Sequence, residues 1–368
     1  MRKKTKAHVT TRRRFFDSTN IGNTVSTAML PDRHLMNHPR IPTLPEEVLA
    51  NIAAQKARAH DTLPQIIHVV LAIDETYAPH AAVTIASALD HAGHPERLNF
   101  YILEDGSLSD TIRKNLSTTA RNQLIFVPVN TETLTDLPLN RPYISRATYY
   151  RLAMHKVLPK SIQKILYIDS DTVVTDALEH LWSTPLNGYP IGACPDEGGL
   201  TQSARLGLPS EHLYFNAGVA IFDLNAIRAL DFDAALATAY ETHKERITLQ
   251  DQDLLNLVFC GQTQSLPLRW NAGTRLYLPS EVEAAYTPQE ALEAANAPGI
   301  LHFTDRRKPW MLKDLNPLGH LYWTYRNQTP WAETALQTAT RHLKKALRHR
   351  FSSSQKTIDA DIIARRAQ

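Results

Sequence analysis

The segment Tyr167-Ile168-Asp169-Ser170-Asp171-Thr172-Val173 sets two carboxylates two positions apart, where an apolar run gives out. In extended chain, residues i and i+2 point to the same side. Two hard oxygen donors on one side suit Mg²⁺ or Mn²⁺, and the open coordination positions can accept the diphosphate oxygens of a nucleotide sugar. The ion would then offset negative charge developing on the departing diphosphate. Short acidic pairs also occur at strand ends and turns as solvated caps, so the pair takes its meaning from its company.

A second cluster lies late in the chain. Ile300, Leu301 and His302 end a short apolar run, and Phe303-Thr304-Asp305-Arg306-Arg307-Lys308-Pro309-Trp310 follows. His302 could complete a metal shell, with Lys308 on the phosphates as a point charge; a histidine at a strand end also serves purely structural ends.

Bringing these groups together requires strands that end on one edge. Ile67, Val69, Val70 and Leu71 form an apolar run ending at Ile73-Asp74, as expected of a parallel strand buried on both faces. Pro79 opens a helix through His91, and Leu98 to Leu103 forms the next strand. The pattern repeats with a helix over Ser109 to Asn122, a strand over Leu124 to Val129, a helix over Thr148 to Val157 and a strand over Lys164 to Ile168. Further strands are expected at Ile191 to Cys194 and Gly218 to Leu224, and helices near Asn225 to His243 and Asp251 to Phe259. Alternation at these lengths implies right-handed crossovers and a mostly parallel open α/β sheet, whose ligands sit beyond the carboxyl ends of the strands. Asp74, Asp169 and Asp171 all occupy such ends. Pro267 to Pro298 shows no clear period and reads as a lid or an acceptor-facing insertion.

The flanks differ from this body. Residues 1 to 65 are a basic extension with one short helical stretch, Glu46 to Ala59. After Trp331 a basic amphipathic pattern returns, with Leu336, Ala339, Leu343, Leu347 and Phe351 on one face. Residues 1 to 14 carry a charge of +7 and residues 331 to 368 a charge of +5, so a net charge of +3 conceals an acidic middle at −9. Basic ends around an acidic body suit an anionic membrane surface better than a nucleic-acid groove, and they also suit plain solubilising tails. Two cysteines, Cys194 and Cys260, exclude a disulfide framework and fit a reducing cytoplasm. No apolar run is long enough to span a bilayer. Thr11-Arg12-Arg13-Arg14-Phe15-Phe16 has the letters of a twin-arginine signal, but Asp17, Asn20 and Asn23 interrupt the apolar region such a signal needs.

Several ordered motifs run from Ile66 to Trp331. They are Ala72-Ile73-Asp74-Glu75-Thr76-Tyr77, then Ile144 through Leu152, then Leu166 through Asp171, then Tyr214-Phe215-Asn216-Ala217-Gly218. Asp251-Gln252-Asp253-Leu254-Leu255-Asn256, His302 through Trp310 and Thr329-Pro330-Trp331 complete the order. In this the chain resembles glycosyltransferase family 8, retaining enzymes that include bacterial lipopolysaccharide glucosyl- and galactosyltransferases and glycogenin. The resemblance implies a GT-A type, Rossmann-like catalytic domain over 66–331, between the extension 1–65 and a helical tail 332–368. It implies metal ligation by Asp169, Asp171 and His302, with Ala72, Asp74, Thr76 and Tyr77 around the uridine of a UDP-sugar. Arg151 and Lys308 would face the donor's sugar or diphosphate; Asp196, Asn216, Asp251 and Gln252 would surround the transferred sugar, with Gln252 near the anomeric carbon. Tyr77 can offer a stacking face or pack in the core, and Arg151 and Asp251 could each instead serve in ion pairs at the surface. One departure stands out: the family usually has glycine where this chain has Asp305, beside the diphosphate.

The implied reaction moves a hexose from UDP-glucose or UDP-galactose, with Mn²⁺ or Mg²⁺, to a saccharide or glycolipid acceptor such as lipopolysaccharide core. Gln252 is a poor nucleophile, so the expected course is same-face, with the leaving diphosphate oxygen helping to deprotonate the acceptor hydroxyl. The expected location is the cytoplasm, with peripheral attachment to the inner face of the membrane through the tail helix, which could instead pack on the catalytic domain. Two other functions fit parts of the sequence. Asp169-Ser170-Asp171-Thr172-Val173 matches the start of a haloacid-dehalogenase-type phosphatase, in which Asp169 would accept a phosphoryl group. A non-catalytic nucleotide-sugar-binding module would need the same pocket without turnover.

Overall fold

Apolar but for His68 and rich in β-branched residues, the run Ile67–Ala72 satisfies its backbone and buries its side chains inside a sheet. It forms β1, paired in parallel with β2 (Leu98–Glu104) on one side and β4 (Lys164–Ile168) on the other. The structure, a computed structural model, describes residues 65–132, 137, 139, 145–277, 285–304, 306–311, 316–334 and 336–344. Strand β3 (Leu124–Pro128) joins β2 in parallel. Beyond β4 come β7 (Phe215–Asp223), β6 (Ile191–Pro195) and β8 (Thr263–Ser265), giving the order β3-β2-β1-β4-β7-β6-β8. Four of the six pairings are parallel, and β7 runs antiparallel to both β4 and β6. The sheet is thus mostly parallel, with one reversal. The link from β6 to β7 contains only the short helix Gly199–Leu206, and an antiparallel return needs no crossover.

Both faces of the large sheet are covered. Side chains alternate along β1, so Val69 and Leu71 enter one apolar core while Val70 enters the other. Each fully buried Val, Leu, Ile or Phe contributes about 1.5–3 kcal/mol, so a charged residue at Val70, which has no exposed surface, would break this layer.

A second, smaller sheet has the order β5-β10-β9, from β5 (Thr172–Val174), β10 (Ile300–His302) and β9 (Ala272–Gly273). The Asp169-Ser170-Asp171 segment is the junction between the two sheets. Asp169 N–H donates to the Gly218 carbonyl of β7 at 2.7 Å, and the Asp171 carbonyl accepts the Phe303 N–H, just past β10, at 3.0 Å. The helix Ala78–His91 supports this junction: Thr84 Oγ1 donates to the Ser170 and Thr172 carbonyls at 3.2 and 3.1 Å, and Ser87 Oγ accepts Val174 N–H at 2.9 Å.

Local outcomes depart from the sequence pattern in three places. The helix expected over Thr148 to Val157 is a 3₁₀ segment, Arg146–Ala153, followed by a single α turn, Met154–Val157. Arg151 Nε donates to the Thr148 carbonyl at 3.2 Å, taking the acceptor that an α-helix would give to Leu152 N–H. The helix expected from Asn225 to His243 is two, Leu224–Ala229 and Phe232–His243, each capped by an aspartate: Asp223 accepts from Asn225 N–H at 2.9 Å, and Asp231 from Ala234 N–H at 3.3 Å. The segment Pro267 to Pro298, expected as a lid or insertion, is in its described parts built into the small sheet: it supplies β9, buries Trp270, and adds the capped helix Pro288–Asn296.

The extension 1–64, Asp305 and the end of the tail, including Leu347 and Phe351, lie outside the described residues. Of the tail, 336–344 are helical. Arg341 stands 3.5 Å over the Trp323 ring and pairs with Glu333 at 2.9 Å, while Leu336 and Leu343 remain 77% and 60% exposed. Among the described residues no helix is long and apolar enough to cross a membrane.

Candidate active site

Strands β1, β4 and β6 end, and β7 begins, around a cavity of about 310 Å³, at the edge where the small sheet begins. Ala72, Tyr77, Arg151, Asp169, Asp171, Asp196, Asn216, Gln252, His302 and Lys308 all line it. The remaining sequence candidates stand apart. Asp74 caps the turn into the first helix, its Oδ1 accepting Tyr77 N–H at 3.0 Å; Thr76 is exposed outside the cavity; Asp251 lies beneath the cavity and is 4% exposed.

Asp169, Asp171 and His302 offer ligand atoms that all lie within 4.8 Å of one another. His302 Nε2 is 3.2 Å from Asp171 Oδ1 and 3.9 Å from Asp169 Oδ2. Its Nδ1 lies 2.8 Å from Asn271 Oδ1, a contact that makes Nδ1 the protonated nitrogen and leaves Nε2 free to ligate. Two carboxylates and one imidazole fit Mn²⁺ or Mg²⁺, with positions left for other oxygens. Gly218 makes the closeness possible, since a Cβ there would meet both Asp169 Oδ2 and the His302 ring.

Charge is balanced around this cluster. Lys308 Nζ donates to Asp171 Oδ2 and to the Phe303 carbonyl, both at 2.5 Å. Burial works against the Asp171 charge, but Lys308 and His302 outweigh it and hold the carboxyl well below its usual range. Burial likewise opposes protonation of His302, and Asp171 and Asp169 outweigh it. Arg151 is buried beneath Asp169: one guanidinium nitrogen pairs with Asp169 Oδ1 at 2.6 Å, Nε with Asp251 Oδ2 at 2.8 Å, and another donates to the Ala217 carbonyl at 2.5 Å. Its guanidinium is thus committed to carboxylates and backbone below the cavity. Burial raises the Asp251 pKa to about 6, despite the pull of Arg151 and of Thr148, whose hydroxyl donates to Asp251 Oδ1 at 2.5 Å.

The opposite wall is a polar network. Gln252 Oε1 accepts Ala217 N–H at 3.1 Å, and its Nε2 donates to Asp196 Oδ2 at 3.2 Å. Asp196 also accepts from Asn216 at 3.0 Å and from Gly198 N–H at 2.8 Å. Asn216 Oδ1 accepts from Asn271 at 2.9 Å, which links this wall to His302. The helix bearing Asp251 and Gln252 begins at Gln250, a fully buried non-glycine residue in the left-handed region with φ of 46°. Strained backbone of this kind persists where its surroundings over-determine it. At the mouth, Tyr77 meets the Trp310 ring edge-on at 6.4 Å between centroids, and Trp310 stacks on His80 at 3.6 Å.

Sequence reasoning missed Asn271, Tyr167, Glu197 and Arg275. Tyr167 donates to Asp169 Oδ1 at 3.1 Å, and Glu197 and Arg275 line the cavity. Tyr167 stood beside the acidic pair, whereas Asn271 and Arg275 fall in the stretch without periodicity, where no local signal points to them.

The motifs and the fold agree with comparison to known proteins. A family model for glycosyl transferase family 8 matches residues 68–313. General stress protein A of Bacillus subtilis (strain 168) is 26% identical over 273 residues, covering 73% of this chain and 95% of the relative. The lipopolysaccharide 1,2-glucosyltransferase of Escherichia coli (strain K12) is 25% identical over 292 residues, covering 77% and 85%. Among solved structures, galactosyltransferase LgtC in complex with donor and acceptor sugar analogs superposes with a TM-score of 0.64 at 26% identity, covering 72% of this chain and 96% of that one. The seven-stranded sheet with its small companion is accordingly the GT-A type α/β fold, and the dehalogenase-type phosphatase reading of Asp169 falls away. With the family model spanning most of the chain, this protein belongs to glycosyl transferase family 8 and is a glycosyltransferase.

Proposed function

We propose that the protein is a metal-dependent, retaining hexosyltransferase that takes a hexose from a UDP-sugar, UDP-glucose or UDP-galactose, and passes it to a saccharide or glycolipid acceptor. The observation that carries this reading is the Asp169, Asp171 and His302 cluster on one wall of a cavity whose other wall is the Asp196, Asn216 and Gln252 network. Bound at that cluster, Mn²⁺ or Mg²⁺ would offset the charge on the leaving diphosphate. Lys308, on Asp171, is within reach of the same charge. Tyr77 and Ala72 line the side where β1 ends, the place for the uridine in open α/β sheets.

The surroundings of the carboxylates favour same-face transfer over a double displacement. Asp251 is buried against Arg151 and Thr148, out of line for attack. Asp196 accepts three hydrogen bonds, which lowers its nucleophilicity. Gln252, fixed at both ends of its amide, would orient the sugar, while the leaving diphosphate oxygen takes the acceptor's proton. Trapping a glycosyl adduct on Asp196 or Asp251 would overturn this course.

For the acceptor, the named lipopolysaccharide and sugar-analog relatives support lipopolysaccharide core or another surface glycan. We assign residues 66–331 to catalysis, and the tail 332–368 to an anionic inner-membrane surface facing the cytoplasm. Arg341 of this helix rests on Trp323 of the domain, while Leu336 and Leu343 are solvent-exposed and so available for membrane contact. A screen of UDP-sugars with Mn²⁺, reading UDP release with and without lipopolysaccharide-core acceptors, tests the reading. Turnover of one UDP-hexose that rises with acceptor supports it; UDP-sugar binding without turnover would instead favour a non-catalytic module.

A further inference from the structure

Among the described residues, Glu197 is the one cavity-lining carboxylate that belongs neither to the metal cluster nor to the Asp196, Asn216 and Gln252 network. Its side chain leaves the end of β6 and crosses to the small sheet. There Oε1 accepts the backbone N–H of Arg275 at 2.8 Å, and Oε2 accepts the Thr304 hydroxyl at 3.2 Å. Thr304 Oγ1 in turn accepts Thr274 N–H at 2.9 Å. One carboxylate therefore joins three chain segments: the end of β6, the turn after β9 and the loop after β10.

Those segments carry the site. Asn271, just ahead of β9, orients His302; His302 ends β10; Lys308 follows Thr304 in the loop beyond. The packing keeps a place for the carboxylate, because a Cβ on Gly273 would come within 2.6 Å of Glu197 Cδ. Holding it there is costly. Burial first, and Asp196 second, push its pKa up to about 7, against the pull of Arg275 and Thr304. The other groups facing it are Tyr277 from the turn after β9 and Tyr286 ahead of the helix Pro288–Asn296. A group kept against that cost, with both oxygens aimed at site-bearing loops, supports geometry more than stability.

We propose that Glu197 is a positioning residue that staples the loops carrying His302 and Lys308 to the strand end carrying Asp196, fixing the metal side of the cavity against the sugar side. This rests on the metal-dependent glycosyl-transfer reading. The test is calorimetric titration of the full chain with UDP in the presence of Mn²⁺, on Glu197→Ala, Glu197→Gln, Thr304→Val and Asp169→Ala, with melting curves to establish folding. Glu197→Ala is expected to weaken Mn²⁺-dependent UDP binding about 10- to 100-fold, the scale set by partners that orient metal ligands. Glu197→Gln keeps an acceptor for Arg275 N–H and reverses the second bond, its amide N–H donating to the Thr304 hydroxyl oxygen, so it should restore binding to near the wild-type value. Thr304→Val cuts one arm of the carboxylate, together with the acceptor for Thr274 N–H, and should fall between.

Wild-type binding in folded Glu197→Ala, or Glu197→Gln as weak as Glu197→Ala, would overturn the staple. Should Glu197→Ala fail to fold, Thr304→Val decides: unchanged binding there overturns it. Asp169→Ala separates the two ideas. If it abolishes Mn²⁺-dependent binding while folded Glu197→Ala does not weaken it, the staple alone fails; if Asp169→Ala binds normally, the metal reading itself fails.

Discussion

Gly218→Ala adds one methyl at the point where the two sheets bring the proposed metal ligands Asp169 and His302 together. Gly218 lies within β7, and its carbonyl accepts Asp169 N–H at 2.7 Å. The new Cβ would stand 2.7 Å from Asp169 Oδ2 and nearer still to the His302 ring. Ordinary contact begins near 3.4 Å, so the carboxylate must retreat by about 0.7 Å and the imidazole by more. Neither is free to do so alone, since Arg151 and Tyr167 hold Asp169 and Asn271 holds His302. The two proposed ligands would thereby be forced apart. Misplacement on this scale costs about 10²-fold in rate, or about 2.7 kcal/mol of barrier, beside about 1–3 kcal/mol of stability lost to overpacking. Mn²⁺-dependent UDP release gives kcat/KM, and a melting curve gives the stability. A folded Gly218→Ala protein whose kcat/KM matches wild type would refute the placement of the metal between Asp169 and His302.

Arg151→Met should destabilise the fold by about 3–5 kcal/mol, because it leaves Asp251 buried and unpaired, whereas an exposed ion pair would cost no more than about 1 kcal/mol. Urea unfolding distinguishes these, and a loss at the lower figure would mean the pair is not buried in solution. The Glu197 carboxyl has its pKa raised from 4.5 to about 7 in the fold, so it contributes stability that is fully present below pH 4.5 and lost as pH rises through about 7. The melting temperature of wild type should therefore fall relative to Glu197→Gln between pH 5 and pH 8, with both values taken in one buffer series. A difference that does not change with pH would show that the carboxyl titrates normally.

What the sequence disclosed was what local pattern can encode. Apolar runs such as Ile67–Ala72 and Lys164–Ile168 announced buried strands, and Asp169 and Asp171 were visible because they end one of them. The late cluster after a second apolar run offered His302 and Lys308, family order then drew in Asn216 and Gln252, and all four line the cavity. Strand direction was not legible: β7 is as apolar as a parallel strand, and nothing in its periodicity says that it runs backward. The segment around Arg151 read as an α-helix because its residues suit one, yet the guanidinium is drawn to Asp169 and Asp251, contacts 18 and 100 residues away. Asn271 and Glu197 were hidden for the same reason. Their roles arise from hydrogen bonds across 31 and 78 or more residues, and no neighbouring letters mark them.

UDP release from the preferred UDP-hexose, measured after chelation and again after Mn²⁺ is restored, tests the central claim in wild type and in Asp171→Ala. Wild type should lose turnover on chelation and regain it with Mn²⁺, while Asp171→Ala, folded, stays inactive in both conditions. Turnover in wild type that survives chelation, or full activity in Asp171→Ala, would contradict the assignment of Asp169, Asp171 and His302 to the metal.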